Sequence, residues 1–443
     1  MTEDSQTVRR SFPTGWVNIA YGSLTLGSSL LWGVMSGWLM YFYLPPAGKG
    51  SAMVPLALFS GVQFVSRAIN LLAPLPIGYL SDQTRTRWGR RLPYVLVASL
   101  LLPGLFLLLW VPPVAHESGW NLVYVGLILL LFNLAYSFRQ IPLEALLPEI
   151  APKNEQRVSI SAWQSGFQML GVVLTGFVGS FIEQVGYAGM AALYAGFAIL
   201  CSVLPFLVLR EQPNTHVPTE DRLDFWKSTR ITLKNRPFQV FLISWGLFWF
   251  ASTLMIEVIP YIVTELCGQP EANAMYFYLP PVIVSVFCYP LVTWLSQRKG
   301  KKLVFSISLL ASGLILPLLA LIGDGLPVPL LAQGILWMTL VAVAMTGAQV
   351  LPAAITADVT DFDQKMTGQR REGSYYAMWG VFDQLCSGLA VSLLPLLLLF
   401  GRSQLDPHGP LGVRLVGIVG GGLLIGAFLI FRKFPVLEGN EKD

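Results

Sequence analysis

Apolar runs of about 20 residues or more, separated by short polar connections, recur along the whole 443-residue chain. A helix needs about 20 predominantly apolar residues to cross a hydrocarbon core about 30 Å thick, so each run predicts a membrane-spanning helix. Nothing between the runs is long enough to form a separate soluble domain. The sequence therefore predicts an all-α polytopic membrane protein with twelve transmembrane helices. The predicted spans cover residues 16–44, 54–80, 92–113, 119–147, 158–184, 187–209, 237–266, 273–296, 303–323, 328–356, 374–400 and 411–432.

Composition narrows the functional class. The chain is 54% hydrophobic and only 12% charged, whereas a soluble domain carries about 25% charged residues. A formal net charge of +4 over 443 residues gives no basic patch for nucleic acid. Four cysteines without a CxxC spacing and three histidines predict neither a disulfide framework nor a metal site or other cofactor. Without a nucleophile triad or a phosphate-binding loop, the sequence also argues against an enzyme.

The distribution of lysine and arginine predicts the orientation, because basic loops stay in the cytoplasm. If both termini are cytoplasmic, 24 of the 29 basic residues lie on that side. Lys49, Arg402 and Arg414 fall outside, and Arg67 and Arg139 fall within spans. We therefore expect an integral protein of the plasma or inner membrane with both termini in the cytoplasm.

The two halves of the chain carry glycine and proline residues at equivalent positions. Gly89 and Gly300 lie in equivalent basic loops 211 positions apart, and Pro142 and Pro352 end equivalent spans 210 positions apart. An offset of about half the chain predicts two six-helix bundles, an architecture in which transporters bind substrate between the halves near the midplane. The predicted units are an N-terminal bundle (1–209), a cytoplasmic linker (210–236) and a C-terminal bundle (237–443).

Three motifs at helix ends resemble a known family. They are GYLSDQTRTRWGRRLPY (78–94), IPLEALLPEI (141–150), and ADVTD (357–361) followed by TGQRREG (367–373). Together they resemble the glycoside–pentoside–hexuronide:cation symporters, the melibiose-permease type of the major facilitator superfamily. The resemblance implies twelve helices in the major-facilitator fold, alternating access, and sugar uptake coupled to sodium or protons.

The resemblance also implies ligand positions, and the chain departs from the family at each of them. In the family two acids on helix 2 bind the coupling cation, whereas Asn70 and Pro74 stand here. Since hard cations prefer charged oxygen ligands, the sodium site of the family is expected to be absent. The family's ionisable sugar ligands on helices 1, 4, 5 and 11 map to Ser29, Gln140, Gln164 and Gln384.

Ionisable side chains inside the spans indicate a functional or pairing role, because placing each one at the membrane centre costs roughly 2.5–3.5 kcal/mol on insertion scales. Glu144, Glu257 and Asp383 are carboxyl groups within spans, and we expect one of them to carry a coupling proton. Arg67 and Arg139 have a simpler interpretation, which is pairing with acids.

Polar and aromatic side chains recur at helical spacing in predicted spans 1, 4, 5, 7 and 11. Lipid penalises such stripes, so they should face the bundle interior or an aqueous cavity. Helix–helix packing is the alternative interpretation for the small polar residues, and core filling or an interfacial belt is the alternative for the tryptophans. The candidate substrate-binding residues are Tyr21, Ser29, Trp32, Asn70, Arg139, Gln140, Gln164, Trp249, Trp379 and Gln384.

Charged residues cluster at the predicted cytoplasmic helix ends. An acid among several arginines can latch neighbouring helices and release them when the bundles move. The same charges also fit plain positive-inside topology. The candidate gating residues are Asp82, Arg85, Arg90, Arg91, Glu149, Asp358 and Arg371.

Three functional hypotheses follow. The first is a monomeric secondary transporter of a small polar solute, a sugar or glycoside, coupled to protons. The second is a transporter of a lysolipid or another amphiphile on the same scaffold, which the missing sugar ligands and the abundant aromatic residues favour. The third is a non-transporting membrane sensor or assembly factor. The expected partners are a small-molecule solute, the lipid bilayer and a proton, with no nucleic acid.

Overall fold

A computed structural model describes residues 14–46, 49–86, 88–151, 154–209, 232–323, 325, 327–367, 372–400 and 410–435. These residues form helices, and none of them belongs to a β-strand, so the all-α prediction is confirmed. The helices are α1 (Thr14–Tyr43), α2 (Leu56–Leu72), α3 (Pro74–Gln83), α4 (Leu92–Leu109), α5 (Gly119–Ile150), α6 (Asn154–Thr175), α7 (Val178–Val208), α8 (Arg236–Tyr261), α9 (Met275–Lys299), α10 (Lys301–Ile315), α11 (Leu330–Val350), α12 (Pro352–Thr367), α13 (Glu372–Leu398) and α14 (Leu411–Phe431). Shorter helical turns cover Ile262–Leu266, Glu271–Ala274 and Leu316–Leu321.

Every predicted span coincides with helical structure. Within the described ranges, nine helical segments are long and apolar enough to cross a membrane, and α2 is a shorter apolar helix. The helices α1 and α6 are rich in Gly and Ser, and α6 also contains Gln, which lowers their mean hydropathy. Small and polar residues of this kind suit helices that pack against other helices rather than against lipid.

Proline and glycine interrupt the helices at defined places. The second predicted span divides into α2 and α3 because Pro74 cannot continue the hydrogen-bond ladder of α2. Gly186 adopts φ 72° and ψ 175° within α7, a conformation that glycine accepts without steric cost. This break falls between the predicted spans 158–184 and 187–209. A further interruption, between Thr175 and Val178, was not predicted.

The two halves of the chain pack internally and against each other. In the N-terminal half α1 packs on α6 and α7, and in the C-terminal half α8 packs on α13 and α14. Between the halves, α2 packs on α13 and α1 packs on α8. These four helices line the interface in which a solute pathway between the halves would lie, and α7 also packs against the turn Glu271–Ala274 of the C-terminal half.

Polar contacts join the halves where α1 and α8 finish. The predicted orientation places this end outside, and we call it the outer end. The Tyr41 hydroxyl donates to Glu271 Oε1 at 3.0 Å, and the Tyr261 hydroxyl donates to the Leu44 carbonyl at 2.9 Å. The backbone N–H of Ala272 donates to Glu183 Oε1 at 2.9 Å. These contacts, the outer seal, close the space between the halves at this end.

Candidate functional site

One ion pair spans the interface between the halves, about one helical turn before the end of α8. Arg67 on α2 and Glu257 on α8 are only 5% and 2% exposed. Arg67 Nη2 lies 3.5 Å from Glu257 Oε1, and Nη1 donates to Ser387 Oγ on α13 at 3.1 Å. A guanidinium group removed from water needs such partners, because an uncompensated buried charge is costly. The pair therefore ties the N-terminal half to two helices of the C-terminal half.

An aromatic ring completes the surroundings of Arg67. The guanidinium carbon lies 4.8 Å from the ring centroid of Trp32 on α1, a cation–π distance. The Trp32 ring in turn lies 5.0 Å from that of Tyr136 on α5. We call Trp32, Arg67, Glu257 and Ser387 the central cluster.

A second cluster lies on α8 and α13, toward the end at which α8 begins. Trp245 Nε1 donates to Asp383 Oδ1 at 2.5 Å, and the rings of Trp249 and Trp379 each lie 5.5 Å from the Trp245 ring. Asp383 is half-buried and has no basic partner among the residues described. We call these four residues the aromatic cluster.

The two clusters are continuous along α13. Asp383 precedes Ser387 by one helical turn, which is a rise of about 6 Å. Trp249 and Trp379 are half-buried, and Trp379 Nε1 has no hydrogen-bond partner in the part of the chain that the structure describes. The site therefore combines indole faces and a carboxylate acceptor with a buried ion pair, and the Trp379 N–H is buried without a partner in the described structure.

Asn70, a candidate ligand from the sequence, lies in a hydrogen-bonded network within the N-terminal half. Its Nδ2 donates to Asn133 Oδ1 at 2.9 Å, and its Oδ1 accepts from the Ser137 hydroxyl at 3.1 Å. All three side chains are buried. The network occupies both polar atoms of Asn70 and joins α2 to α5.

Arg139 is buried among helices α1, α4 and α5. Its Nε donates to Ser99 Oγ at 3.2 Å, and its Nη2 donates to the Leu24 carbonyl. Nη1 lies 3.5 Å from Gln140 Oε1, whose amide nitrogen donates to Glu144 Oε1 at 2.8 Å. Among the described residues Arg139 thus reaches an acid only through Gln140, so the simple pairing expected from the sequence is not what the structure contains.

The remaining candidate ligands are scattered. The Tyr21 hydroxyl donates to the Leu143 carbonyl, and Ser29 donates to the Leu26 carbonyl at 3.1 Å. Gln164 on α6 and Gln384 on α13 are half-buried. The structure places Glu257 in the ion pair between the halves and Trp32 beside it, and it gathers Trp249, Trp379 and Asp383 on the interface helices α8 and α13. It places Tyr21, Asn70 and Arg139 inside the N-terminal half.

The predicted gating residues are only partly described. Asp358 on α12 accepts from Lys301 Nζ with both oxygens at 2.7 Å, and Arg91 donates to the Ala145 carbonyl. Arg85 is exposed and Arg90 is half-buried. The side chains of Asp82 and Glu149, and the whole of Arg371, lie outside the described residues.

Four residues of the site are not predicted as site residues by the sequence. Arg67 stands out there only as an arginine within a span, and Ser387 only as part of a polar stripe. Trp245 lies one turn before Trp249 on the same face of α8, a spacing that could have identified it. Glu271, in the outer seal, carries no signal in the sequence because its partners lie on a distant helix.

Comparisons with known proteins agree with this architecture. The profile of the MFS/sugar transport protein family matches residues 20–409. An isoprimeverose transporter of Lactiplantibacillus pentosus is 22% identical, with 84% of this chain and 77% of that protein aligned. A sodium-dependent lysophosphatidylcholine symporter of Danio rerio is also 22% identical, over 86% of this chain and 79% of that protein.

Solved structures show the same fold. A bacterial homologue of the human lysosomal transporter Spinster superimposes with a TM-score of 0.70 at 13% identity, over 97% of this chain and 99% of that chain. The family match confirms the resemblance found in the helix-end motifs, and it confirms that the protein is a membrane transporter rather than an enzyme. The chain therefore belongs to the MFS/sugar transport protein family of the major facilitator superfamily.

Proposed function

We propose that this transporter moves a small polar solute, a sugar or glycoside, through the interface between its halves, with proton binding at Glu257 as the coupling event. The observation that carries the proposal is the Arg67–Glu257 pair, which crosses the interface beside the aromatic cluster. In this proposal residues 1–209 and 237–443 move relative to each other, joined by the linker 210–236, with both termini in the cytoplasm. The protein acts as a monomer.

The aromatic cluster supports a hydroxylated solute. Indole rings stack on the apolar C–H faces of a sugar ring, and the Asp383 carboxylate can accept hydrogen bonds from its hydroxyl groups. Trp245 donates a hydrogen bond to this carboxylate, and the rings of Trp249 and Trp379 pack on the Trp245 ring. The L. pentosus relative is named an isoprimeverose transporter, which supports the same class of solute.

The central cluster supports a proton as the coupling ion. Protonation of Glu257 removes its negative charge and leaves Arg67 with Ser387 as its remaining hydrogen-bond partner in the described structure. Because the pair is buried, this loss weakens the contact between the halves far more than the loss of an exposed pair would. Asn70, which stands at a position where the family carries an acid, lies in a neutral network. That network argues against a sodium site there.

Uptake by purified protein in proteoliposomes tests the proposal. We expect an inward proton gradient, but not a sodium gradient, to drive accumulation of a labelled sugar from a panel that includes isoprimeverose. Glu257→Gln should abolish accumulation and retain downhill exchange. The matched control is Glu117→Gln, which changes an exposed carboxylate outside the helices and should leave accumulation unchanged. Uptake that depends on neither gradient would show facilitated diffusion without coupling. Uptake driven by sodium alone would contradict the proposed role of Glu257.

An amphiphile is the second candidate solute. The D. rerio relative is named a lysophosphatidylcholine symporter, and the half-buried Trp249 and Trp379 offer a surface to an acyl chain as well as to a sugar. Competition distinguishes the two candidates. Displacement of a labelled lysolipid by unlabelled lysolipid, with no displacement by sugars, would favour the amphiphile.

A further inference from the structure

A pocket of about 230 Å³ lies in the C-terminal half, at the face where α9 ends and α10 begins. Three lysines, Lys299, Lys301 and Lys302, line it together with Asp358 and Phe434. It shares no lining residue with the central or aromatic clusters and takes no part in the proposed transport step. We call it the lysine pocket.

The lysine pocket carries an excess of positive charge. Lys301 Nζ bonds both oxygens of Asp358 at 2.7 Å, so these two charges compensate each other. Lys299 and Lys302 have no carboxylate within 4.0 Å in the described part of the chain. Three lysines and one aspartate leave a formal charge of +2, which suits a phosphate group.

An apolar surface continues from the pocket along α10. Leu303 lines the pocket and is 48% exposed, and Ile307 and Leu314 are 50% and 58% exposed. Spacings of four and eleven residues place all three on one face of the helix. Eleven residues correspond to about 16 Å along the helix, which is close to half of a hydrocarbon core about 30 Å thick.

An exposed tryptophan beside the pocket indicates the depth at which the pocket lies in the membrane. Arg298, next to the pocket, lies over the ring of Trp294 at 4.5 Å, and that ring is 47% exposed. Tryptophans with a wet end and an apolar end prefer the interface between headgroups and acyl chains. The lysines therefore lie at headgroup level, and the apolar face of α10 lies at acyl-chain level.

We propose that the lysine pocket binds the phosphate headgroup of an anionic phospholipid, whose acyl chain lies along Leu303, Ile307 and Leu314. Basic pockets at the ends of transmembrane helices recognise such headgroups. A soluble phosphate would match the lysines but would gain nothing from the apolar face, so the two parts together favour the lipid. Its binding holds α10 and α12 together around the Lys301–Asp358 contact.

Native mass spectrometry of the purified full-length protein, titrated with dioleoylphosphatidylglycerol, tests this site. In Lys299→Gln/Lys302→Gln we expect binding about 30-fold weaker, because each lysine contributes about 1 kcal/mol. Lys234→Gln/Lys365→Gln removes the same charge from two exposed lysines elsewhere and should bind the lipid as the native protein does. Leu303→Asn should weaken binding while leaving all three lysines in place.

Two further measurements distinguish a bound phospholipid from a soluble anion and from a general effect of surface charge. Dioleoylphosphatidylcholine should bind weakly, and inorganic phosphate at millimolar concentration should not displace phosphatidylglycerol. Displacement by phosphate would show a site for a soluble anion and would overturn the proposal. Equal weakening by both double variants would show that surface charge alone attracts the lipid and would also overturn it.

Discussion

Glu257→Gln is the substitution that most directly perturbs the interface between the halves. It keeps the shape of the side chain and one oxygen acceptor, but it removes the charge that faces Arg67 at 3.5 Å. Arg67 would then be a buried guanidinium, 5% exposed, held by Ser387 and the Trp32 ring. Removing one partner of a buried ion pair costs about 3–5 kcal/mol. Since the cation–π contact retains about 1 kcal/mol, we expect a loss of about 3 kcal/mol.

A double-mutant cycle isolates the ion pair from the rest of the packing. Thermal unfolding of the purified protein is measured for Glu257→Gln, Arg67→Gln and the variant that carries both changes. The two single variants should each be strongly destabilised, and the double variant should recover most of the loss because no unpaired charge remains. Additive losses in the double variant would show that the two residues do not interact and would refute the coupling role of the pair.

Three further predictions concern other parts of the molecule. Gly179→Ala places a methyl group against the Glu271 carbonyl oxygen and should open the outer seal, measured as faster thiol labelling of the buried Cys267, four residues before Glu271. Gly196→Ala on the same helix meets no atom within 4 Å and should label as the native protein does. Asp383→Asn should raise the solute concentration for half-maximal uptake about tenfold with little change in unfolding, because it removes a charged hydrogen-bond acceptor. Asn70→Ala should lower stability by about 2 kcal/mol by leaving its two buried partners unsatisfied, while proton-driven uptake remains.

The helices were predictable because hydropathy reports directly on contact with lipid. The break at Gly186 fell between two predicted spans because glycine there interrupts both the apolar run and the helical backbone. The interruption between Thr175 and Val178 was missed, since the residues on both sides are apolar and continue the run. Close approach to the loop that carries Glu271 marks this region, and only the tertiary structure contains that information.

Partners across the interface were not predictable. Arg67 and Glu257 are 190 residues apart, and helical periodicity shows which face of a helix is polar but not which helix faces it. Asn70 illustrates the consequence. The sequence predicts Asn70 as a ligand because it stands at a position where the family binds a cation. In the structure both of its polar side-chain atoms form hydrogen bonds with Asn133 and Ser137 on α5. The packing of α2 on α5 decides its role, and no pattern within either helix reports it.

The contacts between the halves differ in strength in a way that suits alternating access. The outer seal consists of neutral or singly charged hydrogen bonds, each worth about 0.5–3 kcal/mol. Beside it lies the Lys49–Glu271 pair at 3.6 Å, in which the lysine is 38% exposed. Such an exposed pair contributes at most about 1 kcal/mol. The Arg67–Glu257 pair is buried, and losing one charge there changes the energy by several kcal/mol. We infer that the seal is able to open and close readily, and that the charge state of Glu257 decides which state is favoured. In the proposed mechanism, protonation of Glu257 is the event that would shift the balance between the two states, because it removes the charge that holds Arg67 across the interface.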